Sequence, residues 1–343
     1  MKAIVLEAFG DIKNLKLKEI PIPVPHAGEI RIKVKAVGFN PVDYKIRQGA
    51  YEGKLPLVLG SDCSGVVDAV GTNVKAFSVG DEVMAMPFGP VSNGSYAEYL
   101  CLPWELAYKK PKMLSFEQAA VVPLSALTAY RAVLAAPSAK KEDIAFIAGA
   151  GGGVGSFVIP MLKALKVKAI YTVAGSPESA EYLQMNGIEK DHILLYKGLK
   201  LQQMVEKLLG MVRGRFFDAT FDLVGSEMKQ LCLELTRMSG HFTTTVPEHD
   251  HFPFPVWERG SLPINRNLSL HFVFVGAESF SGAPHFREIY QHHYKAIYDL
   301  IEKGMLPIPP IKNLGPLHPE TVKEAHLLLE EGRVKGKLAM HVS

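Results

Sequence analysis

The sequence contains little cysteine, and what it has is not paired. Its 343 residues include only Cys63, Cys101 and Cys232, and no two of them have the CxxC spacing. A structural zinc lobe held by paired thiolates is therefore excluded. Three reduced thiols are typical of a reducing compartment, so we expect a cytoplasmic protein.

Long apolar runs and clustered charge are also missing. The apolar run at the N-terminus is too short for a signal peptide. Asp143 and Lys163 bracket 19 uncharged residues, close to the length of a membrane span, but the five glycines within this stretch would weaken a spanning helix. The net charge is +3 and the basic residues are scattered, so we expect neither nucleic acid nor a membrane as a partner.

The first 110 residues are rich in short β-strand patterns separated by Pro, Gly, Asn and Asp. We predict strands over 2–6, 15–19, 29–37, 64–70, 82–85 and 97–102. A short helix is predicted over 41–48, with Asn40 as its cap and Pro41 in its first position. Cys63, beside Asp62, is predicted to be buried.

From residue 115 the pattern changes to alternating strands and helices, after a helix opened by Ser115 and a second helix over 124–135. The predicted strands are 144–148, 168–173, 192–195, 217–221, 240–245 and 268–275. The predicted helices between them are 154–165, 177–186, 199–210 and 226–237. This alternation indicates an α/β protein with a doubly wound parallel sheet. Helices over 285–303 and 319–331 and a strand over 336–342 complete the chain.

The stretch from Ile144 to Gly155 carries the strongest functional signal. An apolar strand breaks into the turn Gly149-Ala-Gly-Gly-Gly-Val-Gly155, which opens an amphipathic helix. Glycines let a backbone approach a pyrophosphate, and the N–H groups and dipole of a helix start hold the anion. The order strand, turn, helix therefore predicts a dinucleotide site.

Six short motifs, taken in order, resemble those of the medium-chain dehydrogenase/reductase superfamily. They are Asn40-Pro-Val-Asp43, Leu59-Gly-Ser-Asp-Cys-Ser-Gly65, Gly94-Ser-Tyr-Ala-Glu-Tyr99, Leu127-Thr-Ala-Tyr130, Gly149 to Gly155 and Gly332-Arg-Val-Lys-Gly-Lys337. Within the superfamily the chain is most similar to the zinc-free branch of quinone oxidoreductases and alkenal (enone) reductases. The resemblance implies a GroES-like β-rich substrate domain over 1–123 and 277–343, and a Rossmann domain over 124–276. It also implies an active-site cleft between the two domains and, commonly, a homodimer.

The resemblance also bears on metal. Zinc alcohol dehydrogenases of the superfamily carry a cysteine where this chain has Asn40, and a histidine beside an acid where it has Ser61-Asp62. Asparagine and serine are poor zinc ligands, so we expect no metal. His249 and His251, in a polar loop, are the alternative ligands. Without a Lewis acid, reduction of a conjugated acceptor is favoured over alcohol oxidation.

In the resembling family the key positions of the glycine turn correspond to Ala150, Gly152 and Gly155, with Gly153 and Val154 between them. An NAD site needs an acid at the end of the second strand, and here Gly175 and Ser176 stand instead. Tyr196 and Lys197 occupy a position where NADPH-using relatives place a phosphate contact. We therefore predict NADPH, with NADH as the less favoured cofactor. Ser176 as a helix cap and Tyr196 as a packed aromatic are the alternatives, and Glu178, which opens a helix, replaces a lysine of the relatives.

The resemblance places the nicotinamide end of the cofactor near the helix and strand ends that carry Leu127, Thr128, Thr245, Phe274 and Val275. On the acceptor side it implies a segment from Asn40 to Tyr51 that lines the cleft. Asn40 could orient a ligand, and Lys45 or Tyr51 could donate to the oxygen that gains charge during hydride transfer. Each has an alternative: Asn40 as a cap, Lys45 as a solvated helix residue and Tyr51 as core. Asp43 is predicted to organise the turn. Aromatic residues that could wall the cleft are His241, Phe242, Phe252, Phe254 and Trp257.

The predicted function is NADPH-dependent reduction of quinones or α,β-unsaturated carbonyls by hydride transfer without zinc. Two alternatives remain: an enoyl-thioester reductase of the same superfamily, and an NADPH-binding sensor or structural protein with little turnover. The edge strand predicted over 268–275 is a plausible seam for a homodimer.

Overall fold

The computed structural model of the chain describes residues 1–51, 53–89, 93–136, 142–247, 260–281, 283–332 and 334–342. They form two compact units. The first unit contains Met1–Leu127, Val275–Gly304 and Ile308–Ser343, and the second contains Thr128–Phe274 and Met305–Pro307.

The strands lie mostly where the alternation of apolar residues predicts them. In chain order they are β1 Lys2–Leu6, β2 Leu15–Glu19, β3 Glu29–Phe39, β4 Leu57–Val58, β5 Asp62–Val70, β6 Glu82–Ala85, β7 Tyr99–Pro103, β8 Ala107–Lys109, β9 Ile144–Ala148, β10 Ala169–Ala174, β11 Ile193–Leu195, β12 Phe217–Asp222, β13 Thr236–Thr244, β14 Ser269–Phe272, β15 Ile311–Pro316 and β16 Lys337–His341.

Two of the α-helices are capped by serine, since the side chains of Ser115 and Ser176 accept from the N–H groups of Gln118 and Ser179. In chain order the helices are α1 Pro41–Arg47, α2 Phe116–Ala120, α3 Pro123–Ala135, α4 Gly155–Ala164, α5 Pro177–Met185, α6 Leu201–Met211, α7 Ser226–Leu235, α8 Leu262–Asn265, α9 Ala277–Phe280, α10 Glu288–Glu302 and α11 Pro319–Glu330.

The first unit is built on two sheets. The larger has the order β15-β16-β3-β5-β6-β8, with β7 also paired to β3, and the smaller has the order β2-β1-β4. Leu338 pairs with Phe39, and Gly38 pairs with Asp62. The start of β16, the end of β3 and the start of β5 therefore lie side by side, immediately before α1.

The second unit is a sheet of six strands in the order β11-β10-β9-β12-β13-β14, and each neighbouring pair is parallel. This confirms the doubly wound parallel sheet predicted from the sequence. One face packs into a buried cluster that includes Phe146, Phe217, Leu231 and Phe242. All six strands end at the same edge, where parallel sheets place ligand sites.

Several elements differ from the predictions. The strand β15 is missed, because Pro310 precedes it and Pro316 ends it; β15 lies at a sheet edge, where proline is tolerated. The short strands β4 and β8 are also missed. The strand β13 starts at Thr236, where a helix was predicted, and β14 ends at Phe272 rather than at residue 275. Cys63 is fully buried, as expected.

The uncharged stretch between Asp143 and Lys163 is not a membrane span. It folds as β9, the glycine turn and α4. None of the helices in the described residues has the length and apolar character needed to cross a bilayer.

Candidate active site

The glycine turn between β9 and α4 is tight and well bonded at its base. Gly149 has a φ of 86°, a conformation that glycine adopts without strain. The N–H of Gly152 donates to the carbonyl of Gly149 at 3.1 Å, and the N–H of Ser156 donates to the carbonyl of Gly152 at 2.9 Å. The glycine turn thus leads directly into α4.

Two glycines of this turn have different physical roles. A Cβ added to Gly155 would lie 2.4 Å from the carbonyl oxygen of Gly149 and 2.6 Å from Cα of Ala150, so only glycine fits there. A Cβ added to Gly152 would meet only the carbonyl oxygen of Gly149, at 3.4 Å. Gly155 therefore lets the helix pack against the strand, while Gly152 faces open space that a ligand can enter.

The turn also offers hydrogen-bond donors. The N–H groups of Gly153 and Val154 have no acceptor within the described part of the chain. They lie at the start of a ten-residue helix, where the helix dipole favours an anion. The backbone here fits a pyrophosphate.

The ends of β10 and β11 bring Ser176 and Tyr196 into one neighbourhood. Ala174 and Leu195 are register partners on these adjacent strands. A Cβ added to Gly175 would lie 3.4 Å from the hydroxyl oxygen of Tyr196. Ser176 caps α5 by accepting from the N–H of Ser179 at 3.2 Å, and Lys197 is exposed. Glu178 is exposed in the first turn of α5, as predicted.

The residues predicted at the nicotinamide end fall in different places. Thr245 and Phe274 both line a largely apolar cavity of about 310 Å³ in the second unit. Lys229 lines it as well and donates from Nζ to the carbonyl of Val246 at 2.7 Å. Thr128 is buried in α3, and Val275 is buried in the first unit.

In the first unit, Asn40 is the centre of a buried polar network. Its Nδ2 donates to Oδ2 of Asp62 at 2.8 Å and to Oγ of Ser61 at 3.2 Å. Its Oδ1 accepts from Nζ of Lys337 at 2.5 Å and from Oγ of Ser125 at 3.2 Å. These four bonds use the whole hydrogen-bonding capacity of the amide. The side chain is therefore held by the protein and does not cap α1.

Asp43 bonds back to the residue before α1, so its predicted part in organising the turn agrees with the geometry. Its Oδ2 accepts from the N–H of Asn40 at 2.8 Å, and its Oδ1 accepts from Oγ of Ser61 at 2.7 Å. Burial raises the pKa of Asp43 to about 6. Burial likewise raises the pKa of Asp62 to about 7, although Lys337, Asn40 and the N–H of Leu124 oppose the rise.

Lys337 closes this network, and the sequence analysis missed its role. The residue is only 3% exposed. Its Nζ donates to Oδ1 of Asn40, to Oγ of Ser125 at 2.8 Å and to the carbonyl of Phe39 at 3.2 Å. Burial lowers the pKa of Lys337, while Asp62 and Asp43 oppose that shift. Three acceptors match the three protons of an ammonium group, so the geometry favours the charged form. The available signal was the motif that ends at Lys337.

The network continues beneath α1 through three side chains. Arg47 donates from Nε to Nδ1 of His326 at 3.3 Å. Because arginine can only donate, Nδ1 accepts, and Nε2 of His326 carries the proton toward the hydroxyl of Tyr96 at 3.1 Å. Burial and the charge of Arg47 lower the pKa of His326 to about 3, so the imidazole is neutral. Together these contacts fix the segment that carries Lys45.

Lys45 and Tyr51 lie on and just after the helix that this network holds. Lys45 is half-buried in α1. The ring of Tyr51 packs against Phe280 at 6.0 Å and Phe88 at 6.2 Å between centroids, and the latter two rings lie 5.5 Å apart. Burial raises the pKa of Tyr51, so its hydroxyl remains a donor at neutral pH. The three rings form an aromatic surface that we call the aromatic triad.

Of the aromatic residues predicted to wall the cleft, Phe242 belongs to the buried core of the second unit and lines the same cavity as Thr245 and Phe274. His241 is half-buried. His249, His251, Phe252, Phe254 and Trp257 lie outside the described residues.

Comparison with known proteins places these features in a family. Residues 26–112 match the alcohol dehydrogenase GroES-like domain, and residues 190–340 match the family described as zinc-binding dehydrogenase. Human quinone oxidoreductase is 30% identical over 331 residues, which cover 95% of this chain and 93% of that protein.

Two further proteins are similar to this chain. The synaptic vesicle membrane protein VAT-1 homolog-like of Mus musculus is 36% identical over 178 residues, and the match spans 51% of this chain and 42% of that relative. A mycobacterial protein solved in complex with NADPH superposes with a TM-score of 0.84 at 25% identity, covering 99% of this chain and 100% of that one. With its GroES-like domain, its parallel nucleotide-binding sheet and a full-length relative at this identity, the chain belongs to the medium-chain dehydrogenase/reductase superfamily, in its quinone oxidoreductase branch.

Proposed function

We propose that this protein reduces quinones or α,β-unsaturated carbonyls with NADPH, by hydride transfer and without a metal. The observation that carries the proposal is the turn from Gly149 to Gly155, with an open face at Gly152 and two N–H groups without acceptors. That arrangement binds a pyrophosphate. Similarity to quinone oxidoreductases supports the reaction class.

The residues present also fit the rest of NADPH. The end of β10 carries Gly175 and Ser176 in place of an acid, next to Tyr196 and Lys197. Two hydroxyls and one cation suit a 2′-phosphate better than a bare ribose. Thr128, Thr245, Phe274 and Val275 are proposed for the nicotinamide end. When bound, the reduced nicotinamide supplies the hydride.

Zinc, which the name of the matching family implies, does not fit the residues around Asn40. The amide oxygen of Asn40 already accepts from an ammonium at 2.5 Å, and the carboxylate of Asp62 accepts from Asn40 and from the N–H of Leu124. An ammonium at this position repels a dication and occupies a donor atom that it would need. We therefore derive no step through a metal.

The acceptor is proposed to lie against the segment from Asn40 to Tyr51. Lys45 or Tyr51 would donate to the carbonyl oxygen as negative charge develops there. The aromatic triad would favour flat conjugated substrates by stacking. Asn40 is proposed to act indirectly, by fixing the start of α1.

Two alternatives remain. An enoyl-thioester reductase of the same superfamily would oxidise NADPH with CoA thioesters, and an NADPH-binding sensor or structural protein, of a different functional class, would bind the cofactor with little turnover. We further propose a cytoplasmic homodimer that uses β14, an edge strand of its sheet.

The test is a screen of NADPH oxidation against quinones, 2-alkenals, cyclic enones and enoyl thioesters, with and without a chelator. We expect turnover with the first three classes that the chelator leaves unchanged. Turnover with thioesters alone supports the first alternative, and tight NADPH binding with no turnover supports the second. Loss of activity with the chelator would contradict the metal-free mechanism.

A substitution separates chemistry from binding. Lys45→Ala should lower kcat by about 10²-fold, because it removes a donor to the developing oxyanion, while the Kd for NADPH changes little. Lys54→Ala, which removes an exposed lysine after the same segment, is the matched control. An equal loss in kcat and in NADPH affinity would make Lys45 a cofactor or structural residue.

A further inference from the structure

Two histidines, His241 and His271, lie side by side on β13 and β14. Nδ1 of His241 is 3.1 Å from Nε2 of His271. The two rings are nearly parallel, with 19° between their planes and 5.4 Å between their centroids. Both side chains are half-buried. One nitrogen must share a proton with the other when no ion is present.

This separation matches that of two imidazoles bound to one transition-metal ion. With metal–nitrogen bonds of about 2.05 Å, nitrogens 3.1 Å apart subtend an angle of about 98° at the metal. That angle lies between square-planar and tetrahedral coordination, the geometries of Cu²⁺ or Ni²⁺ and of Zn²⁺. Burial lowers the pKa of both histidines, so both are neutral, as ligation requires.

A second observation points to a ligand at the same place. Thr243 is fully buried, and its Oγ1 has no hydrogen-bond partner within the described part of the chain. It lies two residues after His241 on β13, and it is the register partner of His271 on β14. Since side chains two apart share a face of a strand, the hydroxyl lies on the face that carries both imidazoles. A water bound to a metal ion would satisfy it.

We propose that His241 and His271 form a chelating site for one divalent transition-metal ion, with Thr243 as the partner of a metal-bound water. The ion replaces the proton shared by the two rings and links the edge strand β14 to β13. This proposal does not rest on the proposed hydride transfer. Its ligands lie on β13 and β14, two and three strands from β9, whose end carries the glycine turn.

The test uses untagged, metal-free full-length protein titrated with Zn²⁺ and Cu²⁺. We expect one strong site per chain, a rise in Tm on adding Zn²⁺, and coupling of Cu²⁺ to two imidazole nitrogens in its electron paramagnetic resonance spectrum. His241→Gln or His271→Gln should each weaken Zn²⁺ binding at least about tenfold, abolish the rise in Tm and leave one coupled nitrogen. His271→Asn is a second variant that tests for a folding defect. Its Tm before metal is added should equal that of the wild type, so that any loss of Zn²⁺ binding is due to the missing imidazole.

Other metal-binding groups of the chain supply the controls. Asp191→Asn alters the group Glu189, Asp191 and His192, whose two carboxylates are exposed, and a double variant His249→Gln with His251→Gln removes the two histidines predicted as alternative ligands. Both controls should keep the strong site. The proposal is overturned if Zn²⁺ affinity survives the substitutions at His241 and His271, if it is lost in a control, or if no ion binds.

Discussion

At the scale of single residues, Ser176 combines a structural and a proposed functional role. Its hydroxyl accepts from the N–H of Ser179 as the cap of α5. The same hydroxyl lies at the end of β10, beside the neighbourhood of Gly175 and Tyr196. Aspartate caps a helix as well as serine does, so a substitution can change the charge here and leave the cap intact.

Ser176→Asp should therefore reverse the preference for the cofactor. A carboxylate repels a 2′-phosphate, whereas it accepts hydrogen bonds from the free ribose hydroxyls of NADH. We expect the Kd for NADPH to rise by about 10- to 100-fold, roughly 1.4 to 2.8 kcal/mol, while the Kd for NADH is unchanged or lower. Fluorescence titration with each cofactor measures both constants.

Ser115→Asp is the matched control, because Ser115 caps α2 in the other unit by the same type of hydrogen bond, accepting from the N–H of Gln118 at 3.2 Å. It should leave both constants unchanged. An unaltered NADPH preference in the Ser176 variant would remove this residue from the phosphate site.

Single residues also show which contacts cannot be predicted from the sequence. Asn40, Asp43 and Ser61-Asp62 stand in recognisable motifs, but nothing local indicates that Asn40 binds Lys337, which lies 297 positions away. That contact arises because β16 pairs with the end of β3. His241 and His271 were likewise separated in the sequence and meet only through strand register. Contacts set by pairing between distant strands are not readable from spacing.

At the scale of elements, the β9–turn–α4 unit was predictable because each of its signals is local. The apolar strand, the glycines and the helix start follow one another within 21 residues, Ile144–Ala164. The strand β15 was not, since it depends on pairing with β16 and its prolines resemble a linker. The boundaries of β13 and β14 also differ from the predicted ones, because they too depend on pairing between strands.

The turn allows a prediction that separates packing from binding. Gly155→Ala places a Cβ 2.4 Å from the carbonyl oxygen of Gly149, so we expect a loss of about 1–3 kcal/mol in the free energy of unfolding. Gly152→Ala meets the same oxygen only at 3.4 Å, so the fold should tolerate it. Its methyl group would enter the space proposed for the pyrophosphate, and NADPH affinity should fall by about tenfold or more.

Urea denaturation and NADPH titration of the two variants give the comparison. Gly210→Ala is the control, because a Cβ at this exposed helix position has nothing within 4 Å. Tight NADPH binding by Gly152→Ala would show that the cofactor does not use this turn.

At the scale of the whole molecule, the buried network links stability to pH with a definite sign. Burial raises the pKa of Asp43 to about 6 and that of Asp62 to about 7, from an ordinary value of 3.8. The folded chain therefore keeps protons that the unfolded chain releases above about pH 4. The stability that these protons give is present at low pH and is lost as the pH rises through the folded values.

His326 acts in the opposite direction. Its folded pKa of about 3 lies below the ordinary value of 6.5, so the unfolded chain binds a proton that the folded chain does not. The stability due to neutral His326 is present above pH 6.5 and is lost as the pH falls. Between about pH 4 and 6 the two carboxyls bind up to two extra protons in the folded state and His326 binds one fewer. The carboxyls outweigh the histidine.

The contribution of this network to the free energy of unfolding should therefore fall as the pH rises across that range. Its slope is at most about 1.4 kcal/mol per pH unit for each unbalanced proton. His326→Gln removes the opposing group and should steepen the fall, whereas Asp62→Asn should flatten it.

Slopes are compared, rather than absolute stabilities, because either substitution also disturbs packing. Urea denaturation at pH 4.5, 5.5 and 6.5 measures them, with Asp11→Asn, an exposed carboxylate, as the control. Equal slopes in the wild type and both network variants would mean that these buried groups do not exchange protons on folding.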